Sequence, residues 1–288
     1  MNKKLPAVLI LGHSGFIGGS LYQSLKTQGL YDVIGASTKE CNLLDLESVK
    51  KFFSTLPDDI QIVFCSVINA HLCKSIEFLH DNITIIDNFI KGIQNKKISN
   101  LIYLSAVDIY GKSIQLPINE STIINPKGYY GLGKFCGEIL LTRSDILNCP
   151  ITILRLPGVY GPNDKGRSII GNFASKIIKG EPITLHGDGS TLRDYIEIND
   201  VCDIIKSFLN KPQKTILNLA VGESLSIKKM IELISKISNI KPIIEYKPVD
   251  LNAAGDMVFD IKKFRKIFPG FKLTNLEQGC AKYIQNFK

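Results

Sequence analysis

Short apolar runs alternate with segments whose apolar positions recur every three or four residues, from the amino terminus to about residue 156. The run Ala7-Val-Leu-Ile-Leu11 leads into Gly12-His-Ser-Gly15-Phe-Ile-Gly18 and then into a helical period through Leu21 and Leu25. That order predicts strand, tight glycine turn, helix. Further runs predict strands at Tyr31–Gly35, Ile60–Ser66, Leu101–Leu104 and Ile151–Leu156, with helices over about 46–54, 82–94 and 130–142. Strands that are apolar throughout are buried on both faces, so the pattern predicts an α/β fold with a largely parallel, doubly wound sheet.

Beyond Gly161 the chain is richer in Gly, Pro and Asn before helical periodicity returns at Val201–Leu209 and Ile227–Ile237. Short strands are predicted at Thr184–His186, Asp194–Glu197, Leu217–Leu219 and Ile243–Tyr246, and helices at Ile261–Phe268 and Leu276–Ile284. The expected division is a core over residues 1–160, rejoined by about 190–222, and a smaller carboxy-terminal α/β lobe over 161–288. No internal repeat or low-complexity linker separates them.

Composition narrows the function classes. With 44% hydrophobic and 22% charged residues in 288, the chain is globular rather than disordered. The net charge of +8 suits anionic ligands, but basic and aromatic residues form no nucleic-acid module. Seven cysteines are scattered without close CxxC spacing, which argues against a disulfide framework or zinc knuckle. The four histidines, His13, His71, His80 and His186, make no metal-binding pattern, so no metal is expected. The apolar start is too short for a secretory signal and no stretch is long enough to span a membrane, so a soluble, cytoplasmic protein with no membrane partner is expected.

In the glycine turn the first glycine can make the bend, the second admits a pyrophosphate to the backbone, and the third permits close helix packing. The helix amino terminus then offers its N–H groups to phosphate. This is the arrangement of a Rossmann-like dinucleotide site, with Gly12, Ser14, Gly15, Phe16, Ile17 and Gly18 as cofactor-binding candidates. No acid stands in Gly35-Ala-Ser-Thr-Lys39, where the second strand ends. Ser37 and Lys39 there suit a 2′-phosphate and favour NADP over NAD, against the alternative that Lys39 is a solvated loop charge.

Tyr130-Gly-Leu-Gly-Lys134 places a phenol and an ammonium on one helical face. Such a pair can exchange a proton with a carbonyl or alcohol during hydride transfer, the lysine favouring the phenolate and orienting the cofactor. Through these residues the chain resembles the extended short-chain dehydrogenases/reductases over nearly its whole length, in particular the nucleotide-sugar epimerases, dehydratases and 4-ketoreductases. The resemblance rests on Gly12, Gly15 and Gly18, on Tyr130 and Lys134, and on Asp45-Leu46, similar to the family's adenine-side pair. It is extended by Leu156-Pro157 through Pro162, by Arg193-Asp-Tyr-Ile-Glu-Ile-Asn-Asp200-Val201, and by Asn218 through Ile227. It implies catalytic Tyr130 and Lys134, cofactor contacts from Leu156 and Pro157, and a nucleotide-diphosphate sugar held by Arg193 and Asn172. For Arg193, a structural network with Asp194 or Asp200 is the competing reading.

One position departs from the family pattern. In Leu104-Ser-Ala-Val-Asp-Ile-Tyr-Gly111, Ala106 stands where the family's catalytic serine or threonine is expected, and Ser105 is displaced by one. Neighbouring strand residues face opposite ways. Either Ser105 is turned inward by a bulge or strand end and joins the catalytic group, or Tyr130 acts without a strong second donor, or catalysis is slow. Val107 and Asp108 do not reproduce the dehydratases' acid pair, so the expected reaction is NAD(P)-dependent reduction of a sugar C4 ketone. The alternatives are an NAD-retaining 4-epimerase and a catalytically weakened dinucleotide-binding sensor or scaffold. The resemblance also implies a homodimer built on the helices around 82–94 and 130–142.

Overall fold

The structure, a computed structural model, describes residues 5–68, 75–113, 115–248 and 255–285. Its contacts divide the chain into two compact units. The first comprises Met1–Ile109, Gly128–Arg155 and Cys202–Leu217, the second Tyr110–Lys127, Leu156–Val201 and Asn218–Lys288.

In the first unit β1 (Ala7–Leu11) leads to α1 (Phe16–Gln28), β2 (Asp32–Ala36), α2 (Leu46–Ser54), β3 (Ile60–Phe64), α3 (Ile76–Gly92), β4 (Ile98–Ala106), α4 (Tyr129–Thr142) and β5 (Ile151–Leu156). A 3-10 turn, Val107–Tyr110, follows β4. The second unit carries β6 (Gly158–Tyr160), α5 (Ile169–Lys179), β7 (Ile183–His186), β8 (Leu192–Arg193) and β9 (Tyr195–Glu197). Helix α6 (Ile198–Asn210) and β10 (Thr215–Asn218) lead on to β11 (Leu225–Ser226), α7 (Ile227–Ser238), β12 (Ile244–Lys247), α8 (Lys262–Ile267) and α9 (Leu276–Gln285).

The main sheet is parallel and six-stranded, in the order β10-β5-β4-β3-β1-β2. The chain steps outward from β1 to β2, then crosses back to β3 and proceeds the other way. The reversal lies between β1 and β3, and in such sheets ligands bind outside the carboxyl ends of the strands at that point. Strands β1, β3 and β5 are buried at every position, and α-helices complete an apolar core that includes Leu9, Phe53, Phe64, Phe89 and Ile153. This agrees with the predicted doubly wound sheet.

The second unit has its own core, where Phe173 and Ile177 of α5, Met230 and Ile234 of α7, and Cys280 and Ile284 of α9 pack with Tyr160. Parallel ladders join β6 to β9 and β7 to β12, and an antiparallel one joins β8 to β11.

Several elements differ from the sequence expectation. Helix α5 was not expected, although Ile170, Phe173, Ala174 and Ile177 keep the helical period and are buried. Its start is capped by Ser168, which accepts from the Gly171 N–H, and its end by left-handed Gly180. Strand β4 starts three residues earlier than the apolar pattern suggests. Asn100 within it is buried, its amide donating to Gln61 (2.9 Å) and to the Phe208 carbonyl (3.0 Å). A polar residue whose amide N–H groups find acceptors inside the protein interrupts the apolar run without interrupting the strand. The single strand expected over Asp194–Glu197 is divided instead into β8 and β9. The Asp194 side chain, between them, accepts from the N–H groups of Val221 (2.9 Å) and Gly222 (2.8 Å).

Candidate active site

At Gly12 and Gly18 the connection between β1 and α1 leaves no room for a larger residue. Gly12 has φ of +85°, in the left-handed region, and its N–H donates to the Ala36 carbonyl at the end of β2 (2.7 Å). At Gly18 an added Cβ would lie 2.9 Å from the Gly12 carbonyl carbon and nearer still to its oxygen. The helix therefore sits directly on the turn. Gly15 is the N-cap of α1 and no side chain caps that end, so the first-turn N–H groups are presented at the carboxyl edge of β1. Ser14 is exposed, while Phe16 and Ile17 are half-buried. An anionic dinucleotide fits this cradle because backbone replaces side chain there and the helix end carries partial positive charge.

The strand end opposite the turn corrects one sequence expectation. No acid stands among residues 35–39, but Glu40 folds back. Its Oε2 accepts from the Ser37 N–H (2.8 Å) and from the Ser37 hydroxyl (2.6 Å). A carboxylate therefore does stand at the end of β2. Lys39 is exposed, its N–H donating to the Ser37 hydroxyl oxygen (3.3 Å). Further on, Asp45 caps α2 by accepting from the Glu47 N–H (3.0 Å), with half-buried Leu46 opening the helix.

Tyr130 and Lys134 lie on α4, one turn apart. The lysine is 4% exposed and its Nζ donates to the Leu104 carbonyl of β4 (2.7 Å), 5.9 Å from the centre of the Tyr130 ring. Burial brings this ammonium down to about 8, a fall opposed by the proximity of Cys65, Asp108 and Glu138. The close approach of α4 to β4 depends on Gly137. A Cβ there would lie 2.9 Å from Tyr103 Cζ and closer to its hydroxyl.

Strand β4 continues through Ala106, so Ser105 and Ala106 face opposite ways. Ser105 is turned toward α4. Its hydroxyl donates to Glu138 Oε1 (2.5 Å), and that carboxylate also takes Arg155 Nε (3.0 Å) and Nη2 (2.7 Å) in a bidentate pair whose side chains are each 3% exposed. The strand runs one residue beyond Ser105.

In the second unit Leu156 closes β5 and Pro157 follows it, both buried. Asn172 is exposed on α5. Arg193 is half-buried on β8, where Nη1 donates to the carbonyls of Leu192 and Gly255 (both 2.8 Å). Asp194 accepts from the two backbone N–H groups above, and Asp200 from the Thr274 N–H (2.7 Å) and hydroxyl (3.1 Å). His71 lies outside the described residues. Among the described residues no three metal-binding side chains cluster, and no helix is long and apolar enough to cross a membrane.

Sequence reasoning missed Glu40, Glu138 and Arg155. The signal for the last two was present: an arginine inside the otherwise nearly apolar strand Ile151-Thr-Ile-Leu-Arg-Leu156 needs a buried partner, and Glu138 lies one turn beyond Lys134. Glu40 lay one residue past the segment searched.

A family profile described as the NAD dependent epimerase/dehydratase family matches residues 8–220. An uncharacterized UDP-glucose epimerase of Bacillus subtilis is 25% identical, with 96% of each chain covered. The dTDP-4-dehydro-6-deoxyglucose reductase of Escherichia coli is 27% identical over 100% of this chain and 99% of its own. Among solved structures, a UDP-glucose 4-epimerase of Thermotoga maritima with UDP-glucose superposes with a TM-score of 0.87 at 21% identity, covering 98% of both chains.

Proposed function

The chain belongs to the NAD dependent epimerase/dehydratase family, and from that membership we propose that it inverts a hydroxyl-bearing carbon, C4, of a nucleotide-linked sugar, using NAD that it retains. The observation that carries this reading is the docking of Lys134 on the Leu104 carbonyl, one helical turn after Tyr130, in the same unit as the glycine cradle. Bound NAD supplies a reversible two-electron acceptor for the hydrogen on the sugar carbon. The turn from Gly12 through Gly18 would hold its pyrophosphate, Lys134 its nicotinamide ribose, and Leu156 and Pro157 would add further contacts.

Tyr130 acts as the proton carrier. As phenolate it takes the proton of the C4 hydroxyl while the carbonyl forms, and as phenol it returns that proton to the alkoxide produced on the other face. Lys134, an ammonium below about pH 8, stabilises the phenolate through its positive charge. Ser105 is a structural group in this reading, and Ala106 contributes no donor, so Tyr130 carries the proton alone. Arg193 is assigned to the diphosphate, which a guanidinium meets with charge-assisted bonds; Asn172 is a second candidate for it. Val107 is buried in the turn after β4 and offers no acid for water elimination.

The test is incubation with UDP-linked and dTDP-linked hexoses, with products resolved by NMR. Inversion at C4 without net coenzyme change supports the reading, and Tyr130→Phe should lower turnover at least ~100-fold. Stoichiometric coenzyme oxidation by a 4-keto sugar would establish instead the 4-ketoreductase favoured by the sequence analysis. The full-length match to the Escherichia coli reductase keeps that second reading alive.

A further inference from the structure

Helix α4 is pinned to β4 at two successive strand residues. The Lys134 ammonium donates to the Leu104 carbonyl (2.7 Å), and the Ser105 hydroxyl donates to Glu138 Oε1 (2.5 Å). The two helix residues are four apart, about 6 Å along the axis, and share one helical face. Between them Gly137 lets Tyr103 close in, its hydroxyl donating to the Lys134 carbonyl (3.4 Å). Arg155, on β5, holds the same carboxylate through Nε (3.0 Å) and Nη2 (2.7 Å), which ties a second strand to the helix. Glu138 thus fixes the height of α4 over β4 and β5, and with it the place of Tyr130 and Lys134.

The carboxylate also brings charge. Facing the Lys134 ammonium are the rings of Tyr103 on β4 (5.2 Å) and Tyr130 on its own helix (5.9 Å), Cys65 after β3, Asp108 in the 3-10 turn, and Glu138. Burial pushes the Cys65 thiol up to about 12 and raises the Tyr103 phenol as well, so both are neutral. Asp108 is exposed, where water and salt screen its charge. Glu138 is the buried anion of this set, and the bidentate bond from Arg155 is what lets a carboxylate stand as an anion inside the protein. We propose that Glu138 is the positioning residue of the Tyr130 and Lys134 pair, its carboxylate setting α4 on the two strands and supplying the negative charge that keeps buried Lys134 an ammonium. The inference rests on the reading of that pair as the proton-transfer group.

The experiment follows the titration of Lys134 itself by NMR of the full-length protein carrying isotope-labelled lysine, with Lys134→Met to identify the signal, beside the pH profile of kcat. The wild-type midpoint should fall near pH 8. Glu138→Gln, which keeps the shape and an acceptor for Ser105, should lower it by at least about one pH unit, the effect of one buried charge a helical turn away. Glu138→Leu/Arg155→Met, which leaves no unpaired charge, should lower it by about half a unit or more. Loosened packing would act the other way, admitting water to the ammonium and raising the midpoint toward 10.5. The direction of the shift therefore separates charge from packing, and either variant that folds decides the question. The alkaline limb of kcat should move down with the midpoint. A midpoint unchanged or raised overturns the assignment whatever the activity. A midpoint that falls as expected in a protein that inverts no sugar supports Glu138 as the source of the charge and overturns the proposed function alone.

Discussion

Beneath Tyr130 and Lys134, the Glu138–Arg155 pair joins α4 to β5 inside the protein, and its removal is the sharpest test of how the site is held. Both side chains are 3% exposed and meet through two short bonds of 3.0 and 2.7 Å. Removing either partner alone leaves a buried charge without its counter-ion, a loss of about 3–5 kcal/mol. Glu138→Leu also strips the buried Ser105 hydroxyl of its acceptor, adding about 1 kcal/mol. At about 2–4 °C per kcal/mol for a protein of this size, either single variant should lower Tm by roughly 6–20 °C in calorimetry. The double variant Glu138→Leu/Arg155→Met buries no charge. It should recover most of that loss, so the coupling energy should exceed the loss of either single variant. Single losses under about 1 kcal/mol, or losses that simply add, would refute the argument that this pair is a desolvated, mutually dependent unit.

Ser105→Ala should cost about 1–2 kcal/mol of stability by urea titration, while kcat stays within about threefold; a fall of about 100-fold would restore Ser105 to the proton-transfer group. Gly18→Ala pushes a methyl into the Gly12 carbonyl, and should cost about 1–3 kcal/mol and weaken NADH binding at least tenfold in fluorescence titration. Unchanged affinity would show that the turn is no cradle. Lys134 has its proton affinity lowered from the ordinary 10.5 to about 8. The folded state thus sheds its proton first, and the penalty of the buried charge is fully present below about pH 8. Stability relative to Lys134→Met should therefore rise between about pH 8 and 10.5; a difference that stays flat across that window in urea titrations contradicts the burial argument.

Features set by local chemistry were legible in the sequence. The runs at β1, β3 and β5 are apolar because both faces of a parallel sheet are covered, and the Gly12, Gly15, Gly18 spacing marks a turn where backbone meets backbone. A phenol and an amine four residues apart share a helical face wherever the helix is placed. Tertiary structure decided what depends on partners distant in sequence. Alternation alone says only that Ser105 and Ala106 differ in direction; the position of Glu138 on α4 decides which way Ser105 turns. Asn100 hid the true length of β4 because its partners, Gln61 and Phe208, lie 39 and 108 residues away. At the end of β2 a search for an acid at one strand position passed over Glu40, since a carboxylate can reach the same place from three residues on when the chain doubles back. Spacing fixes which side chains share a face, whereas the charges and donors that meet them are chosen by the packing of other elements.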